Sequence, residues 1–190
     1  MSNLFVTSGR AKASAGTRNG MVYRYSPDLS RRAIFSPCSG YRYALLILDS
    51  PDDVPAAECC AFIGLNPSTA DEFKDDPTVR RCRDFARRWG YRGLMMLNAY
   101  GFRSTDPKGL RTQEDPVGRD TDRILRRYAQ QTGRVVAAWG THADVERVAA
   151  MRKVLEGVPT LCLGVTKDGY PKHPLYIAGK TEPIPWGLST

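Results

Sequence analysis

CCAFIGLNPSTADEF, residues 59–73, decides how this chain folds. Residues 59–65 form a short continuous apolar run, the pattern of a strand covered on both faces of a sheet. Asn66-Pro67-Ser68-Thr69 then breaks the run into a polar turn whose first side chain is an amide, and acidic residues follow at once. Ligands of open α/β sheets collect beyond the carboxyl ends of the strands, so a buried strand that stops on such a turn marks a place to look for a site.

Downstream, Asp75-Asp76-Pro77 supplies a helix start, with Asp76 placed to accept from the first turn and Pro77 where a missing N–H costs nothing. The helix should run to about Trp89. Val79, Cys82, Phe85, Ala86 and Trp89 recur on one face, and Arg80, Arg81, Arg83, Arg87 and Arg88 crowd the other, which reads as a solvated helix face. Gly90 and Gly93 bracket its exit into a second buried strand, 94–97, ended by Asn98. Residues 118–131 repeat the helical pattern, 135–139 form a third buried strand, 142–155 a third helix and 160–164 a fourth strand. Upstream, 43–48 reads as a strand and 51–55 as a turn. The alternation predicts an α/β domain with three α/β/α layers and a mostly parallel central sheet.

Before residue 41 the chain is rich in Ser, Gly, Arg and Lys with scattered aromatics. Residues 1–20 are expected to be a flexible N-terminal segment and 21–40 irregular strands or turns, with one domain over 21–190. No stretch approaches the ~20 apolar residues of a membrane span, and 1–20 lacks the apolar core of a secretory signal, so the expected location is cytoplasmic. The 190 residues carry a formal net charge of +8, mostly as arginine, which points to a polyanionic partner. Five cysteines without C-x-x-C spacing read as buried free thiols, with no metal site and no cofactor expected. Asp71, Glu72, Asp75 and Asp76 read as capping and dipole compensation for the helix they precede.

Each predicted strand ends in polar or glycine-bearing residues: Gly64 to Ser68, Leu97-Asn98, Trp139 to His142, and Gly164 to Lys167. The Lys172 to Tyr176 cluster follows the last. These ends are similar in kind and order to the motifs of the uracil-DNA glycosylase superfamily, in its mismatch-specific branch. GLNPS resembles the Gly-x-Asn-Pro turn holding the working asparagine, and GLMMLNAY resembles the strand ending in Leu-Asn. RVVAAWGTHA resembles the Val-Val-x-x-x-Trp-Gly junction, and KHPLY the His-Pro-Ser motif. From Tyr41 onward the chain also resembles an uncharacterised bacterial and phage domain family marked by Leu-Asn-Pro-Ser-Thr-Ala-Asp.

That resemblance implies a monofunctional DNA glycosylase on a uracil-DNA glycosylase-like fold, a hydrolase that flips a uracil-like, mismatched or modified base out of DNA and cuts its N-glycosidic bond. Its partner would be DNA; oligomeric state is left open. Cleavage builds negative charge on the departing base, and His173 is placed to donate to a base carbonyl oxygen. Asn66 would orient water or contact the base through its amide, although an amide does not accept a proton as a carboxylate does. The faster uracil-specific enzymes of the superfamily carry Asp where this chain has Asn66, so slow turnover is implied. Asn98 would read the base edge, with Gly64, Leu65, Pro67 and Ser68 beside it and Phe73, Tyr100 or Phe102 stacking. Phosphates would meet Ser68, Thr69, Arg103 and Lys172, with Pro174 and Leu175 on the same side; Leu175 replaces the motif's serine, exchanging a phosphate contact for an apolar wedge.

Two other readings use the same residues. One is a non-catalytic module that binds a modified base or nucleotide, and the other is an N-glycosidase acting on free nucleosides or nucleotides. Asn66 and Asn98 also fit a plain strand-ending turn, and His142 a helix start.

Overall fold

A computed structural model describes residues 16–50, 54–68, 70, 73–106 and 108–187. Residues 1–15, part of the expected turn at 51–55, Thr69, Asp71, Glu72 and Pro107 lie outside the described residues. The described residues build one nine-stranded sheet in the order β1-β2-β3-β4-β6-β5-β7-β8-β9.

Its centre is the apolar run that begins at Cys59. Strand β5 (Cys59–Gly64) is buried at every residue and pairs in parallel with β6 (Gly93–Asn98) on one side and β7 (Arg134–Ala137) on the other. Strand β8 (Thr160–Cys162) continues the parallel set beside β7. Alternate residues feed two apolar clusters. Ala61, Ile63, Met95 and Leu97 join Ile124, Leu125 and Tyr128 of α3 (Thr121–Ala129) and Met151 of α4 (Val145–Val154). Cys60, Phe62, Leu94 and Met96 join Val79, Cys82, Phe85 and Ala86 of α1 (Pro77–Arg88). A strand with apolar partners on both sides has no reason to alternate, which explains the continuous run at 59–65.

The sheet is mixed, not mostly parallel. Three pairings are parallel, and the other five are antiparallel. Most of the antiparallel part comes from residues 16–48, where only the strand at 43–48 is expected outright, 21–40 being expected as irregular strands or turns and 1–20 as flexible. Strands β1 (Gly16–Arg18), β2 (Met21–Tyr25), β3 (Arg31–Phe35) and β4 (Arg42–Leu48) form a meander that attaches to the parallel core through β4 and β6. Short turns make this the only economical pairing: Asn19 and Gly20 both adopt positive φ between β1 and β2, as tight hairpins require. A two-residue strand, β9 (Ile184–Pro185), closes the far edge antiparallel to β8.

Helix α1 begins as its sequence indicates. The Asp76 carboxylate accepts from Val79 N at 2.8 Å, and Pro77 occupies the first helical position. Its arginines are less free than a solvated face implies. Arg83 and Arg87 both donate to Asp49, and Arg81 donates to the Ile177 carbonyl, which ties the helix to the turn at 174–176. Helix α4 starts on Asp144, whose side chain accepts from Arg147 N at 2.8 Å. A further helix, α2 (Lys108–Arg111), forms a single turn in the loop after β6. No helix among the described residues is long and apolar enough to cross a membrane.

Candidate functional site

At the carboxyl edge of the parallel strands lies a cavity of about 540 Å³, within the ~300–1,000 Å³ range of small-ligand sites. Gly64 to Asn66 and Ser68 reach it from the end of β5, Asn98 from the end of β6, and Trp139 to His142 from the end of β7. Thr166, Lys172 and His173 follow β8, and Asp76, Thr78 and Val79 come from the start of α1. The sheet's parallel register is what brings them together, since Gly64 and Asn98 are ladder partners.

The turn after β5 is stitched to the loop after β6. Ala99 N and Tyr100 N donate to the carbonyls of Gly64 and Leu65 at 2.8 Å, extending the ladder past the strand ends. Ser104 N then donates to the Pro67 carbonyl at 3.0 Å, and Asn66 Nδ2 donates to the Ser104 carbonyl at 2.8 Å and to that of Pro67 at 3.1 Å. The Asn66 amide nitrogen therefore holds two loops in place, and its oxygen is the part left for a ligand.

Asn98 is in the opposite condition. It is 3 % exposed, and its Nδ2 has no hydrogen-bond partner among the described residues. The same holds for Nε1 of Trp139, 1 % exposed, whose ring packs edge-on against Trp186 at 4.8 Å. A buried donor left unpaired costs about 1–3 kcal/mol, and both of these belong to residues that line the one cavity. Gly64 keeps the space open: a Cβ there would lie 3.3 Å from Asn98 Oδ1.

His173 stands at the start of the turn at 174–176, and its Nδ1 accepts from Leu175 N at 3.4 Å. That bond leaves the proton on Nε2, aimed elsewhere as a donor. Burial pushes its pKa below the ordinary 6.5, against the Asp76 carboxylate, which pulls it up, and with His142, which pushes it further down. The imidazole is thus neutral at pH 7, a donor without charge. Gly140, at φ 72°, turns the chain after β7 so closely that a Cβ would touch His173 Cβ at 3.6 Å.

Of the residues to which the resemblance gives catalytic, base-binding or phosphate roles, Asn66, His173, Asn98, Gly64, Leu65, Ser68 and Lys172 meet here. Others do not. Pro67 and Pro174 are buried beside the site without lining it, and Arg103 stacks its guanidinium on Phe35 at 5.3 Å. Phe73 is 69 % exposed and Leu175 43 % exposed, both off the cavity wall, and Thr69 lies outside the described residues. Of the alternative stacking rings, Tyr100 is buried with its hydroxyl donating to Asp144 at 2.8 Å, and Phe102 packs edge-on against Tyr41. The aromatic at the mouth is Tyr176, 85 % exposed and 5.8 Å from the His173 ring. Its place in KHPLY was the available signal.

Sequence reasoning also missed Arg42, 2 % exposed on β4, which lines the cavity while donating to the Ala70 carbonyl. It missed Asp76 as a wall residue too, having assigned it to the helix cap alone. Four cysteines are buried as expected, but Cys38 is exposed. Among the described residues no group of three or more His, Cys, Asp or Glu side chains is placed to hold a metal ion.

Fold and site together define a mixed α/β protein with a cavity at the carboxyl edge of its parallel strands. The profile of the family described as "Protein of unknown function (DUF1643)" matches residues 42–175, from the start of β4 to the turn after His173, and the chain belongs to that family. No curated protein and no solved structure matches it.

Proposed function

We propose that the chain is a DNA glycosylase-like hydrolase that removes a uracil-like, mismatched or modified base from DNA, on a three-layer scaffold of the uracil-DNA glycosylase kind. The observation that carries the proposal is the unpaired, buried Asn98 amide in the same cavity as Asn66 and His173. A flipped base fills such a space edge-first, and its carbonyl and ring nitrogens satisfy the Asn98 amide.

His173 then faces the oxygen on which negative charge grows as the glycosidic bond breaks. A neutral imidazole donating through Nε2 stabilises that charge without needing protonation, and the charge it meets exists only as the bond breaks, so the donor favours the transition state over the ground state. The net charge of +8, with Lys172 exposed at the rim, suits a phosphate backbone.

Incubation with oligonucleotides carrying uracil, hypoxanthine, hydroxymethylated or glucosylated pyrimidines, followed by mass spectrometry, tests the proposal. Wild type is expected to release one of these bases, and His173→Ala to release it about 10²–10³-fold more slowly. A wild type that releases none is not a glycosylase for them.

One observation favours a second reading. Both donors of Asn66 used in the fold go to backbone carbonyls, as a purely structural turn residue would have them. A module that binds a modified base without cutting it would show salt-sensitive binding to one of these oligonucleotides and no free base.

A further inference from the structure

Asn66 poses a chemical problem for the hydrolytic reading. Hydrolysis needs a group that takes a proton from water, and a carboxamide does not do so at neutral pH. The cavity wall does contain a carboxylate. Asp76 is the one acidic side chain lining it among the described residues, half-buried at the first turn of α1.

Its two oxygens are used differently. Oδ1 accepts from Val79 N at 2.8 Å and so fixes the side chain to the helix. Among the described residues only Oδ1 takes part in a hydrogen bond, and Oδ2 is not among the buried unpaired atoms. A side chain locked by one oxygen and open at the other is a preorganised acceptor, held on a helix, not on a mobile loop. Asn98 lines the same cavity, and its amide nitrogen is buried and unpaired among the described residues. Of the other two site residues, Asn66 has its amide nitrogen and His173 its Nδ1 taken up by the fold, which leaves the Asn66 oxygen and His173 Nε2.

We propose that Asp76 is the catalytic carboxylate of this cavity, taking the proton of the attacking water, while Asn66 anchors the loop and orients that water through its amide oxygen. The step rests on the glycosylase reading above. Water oxygen forms a bond to C1′ of the sugar, and the bond from C1′ to the base nitrogen breaks with its electron pair going to the base. Negative charge on the base is met by Nε2–H of His173, and the water proton moves to Oδ2 of Asp76, from which it passes to the released base or to solvent. No further reactant is needed.

The electrostatic setting is mixed. The charged and titratable side chains that share the cavity lining with Asp76 are Arg42 from β4, His142 from the β7–α4 loop, and Lys172 and His173 from the loop before the turn at 174–176. Asp75, next to it, is paired with Arg31 at 2.6 Å. The influence of Asp76 already reaches His173, whose proton affinity it raises.

Asp76→Asn and Asp76→Ser separate the two roles of the residue, because Asn and Ser cap a helix about as well as Asp but do not take a proton from water. The test is single-turnover base release across pH by both variants, on the oligonucleotide the wild type processes, with melting temperatures and the NMR titration of the His173 imidazole measured on the same preparations. The expected result is an unchanged melting temperature, a rate lowered about 10²–10⁴-fold, loss of the acidic limb of the pH–rate profile, and a His173 titration moved to lower pH.

Full activity in Asp76→Asn would leave the residue as a cap and overturn the proposal, and so would an unmoved His173. Loss of folding in both cap-competent variants would assign the carboxylate to the fold and overturn it as well. A wild type that releases no base from any probe removes the hydrolytic reading and this step with it; a wild type that does, with Asp76→Asn equally fast, removes this step alone.

Discussion

The two halves of the sheet are built differently and contribute differently. In the parallel half, β5 to β8, every strand runs toward the same edge, so the residues that end them converge on one cavity. In the antiparallel half, β1 to β4, successive strands end at opposite edges, and only Arg42, at the start of β4, reaches the cavity. Direction, more than residue type, decides which strand ends gather chemistry.

The largest expected effect separates the halves by stability. Phe62 lies in the interior of the parallel half, 0 % exposed, with its ring stacked on Trp89 at 5.9 Å and close to Phe85. Phe62→Ala should cost about 3–5 kcal/mol in denaturant unfolding. Thr17→Ala, on exposed β1 at the end of the meander, should change it by less than about 0.5 kcal/mol. Equal costs would erase the distinction between the sheet's buried interior and its exposed β1 edge.

A smaller effect sharpens the comparison at the cavity. Because Nδ2 of Asn98 makes no hydrogen bond among the described residues, Asn98→Ala removes a contact to ligand and none of the described hydrogen bonds from Nδ2. Oligonucleotide affinity should fall about tenfold, the equivalent of one hydrogen bond of about 1.4 kcal/mol, with the unfolding midpoint nearly constant. The reverse pattern, a stable fold lost and binding kept, would make Asn98 structural.

The smallest effect is one of pH. Burial lowers the pKa of His173 in the folded chain below the 6.5 of an ordinary histidine, so the unfolded chain binds the proton first as pH falls. Stability linked to this group is fully present above 6.5 and declines from there down to the folded-state value. Thermal unfolding of wild type should therefore lose more stability than His173→Gln when the pH is taken from 7 to below 6.5. Parallel curves for the two would place His173 in solvent.

Much of the parallel half was legible because burial on both faces leaves a direct trace, the uninterrupted runs at 59–65, 94–97 and 135–139, and because Asp76-Pro77 announces a helix start without ambiguity. The wing was less legible for a physical reason. Strands β2 and β3 alternate imperfectly, with Tyr23, Arg24 and Tyr25 half-buried, so neither period nor composition distinguished them from irregular chain. At the site, the amides of Asn66 and Asn98 and the imidazole of His173 could be named from their positions at strand ends. Their hydrogen-bond states could not, since these depend on contacts across the sequence such as Asn66 with Ser104. The same limit hid Asp76: capping explained it locally, and only the folded chain puts the residue on the cavity wall.

The most direct test of the account is a crystal structure with an oligonucleotide whose target nucleotide carries a 2′-fluorine, which slows glycosidic cleavage. The account predicts the base seated in the cavity at the carboxyl edge of β5 to β7, its edge bonded to the Asn98 amide and an oxygen within reach of His173 Nε2. DNA bound on another face, or a base in the cavity with the Asn98 nitrogen still unpaired, would contradict it.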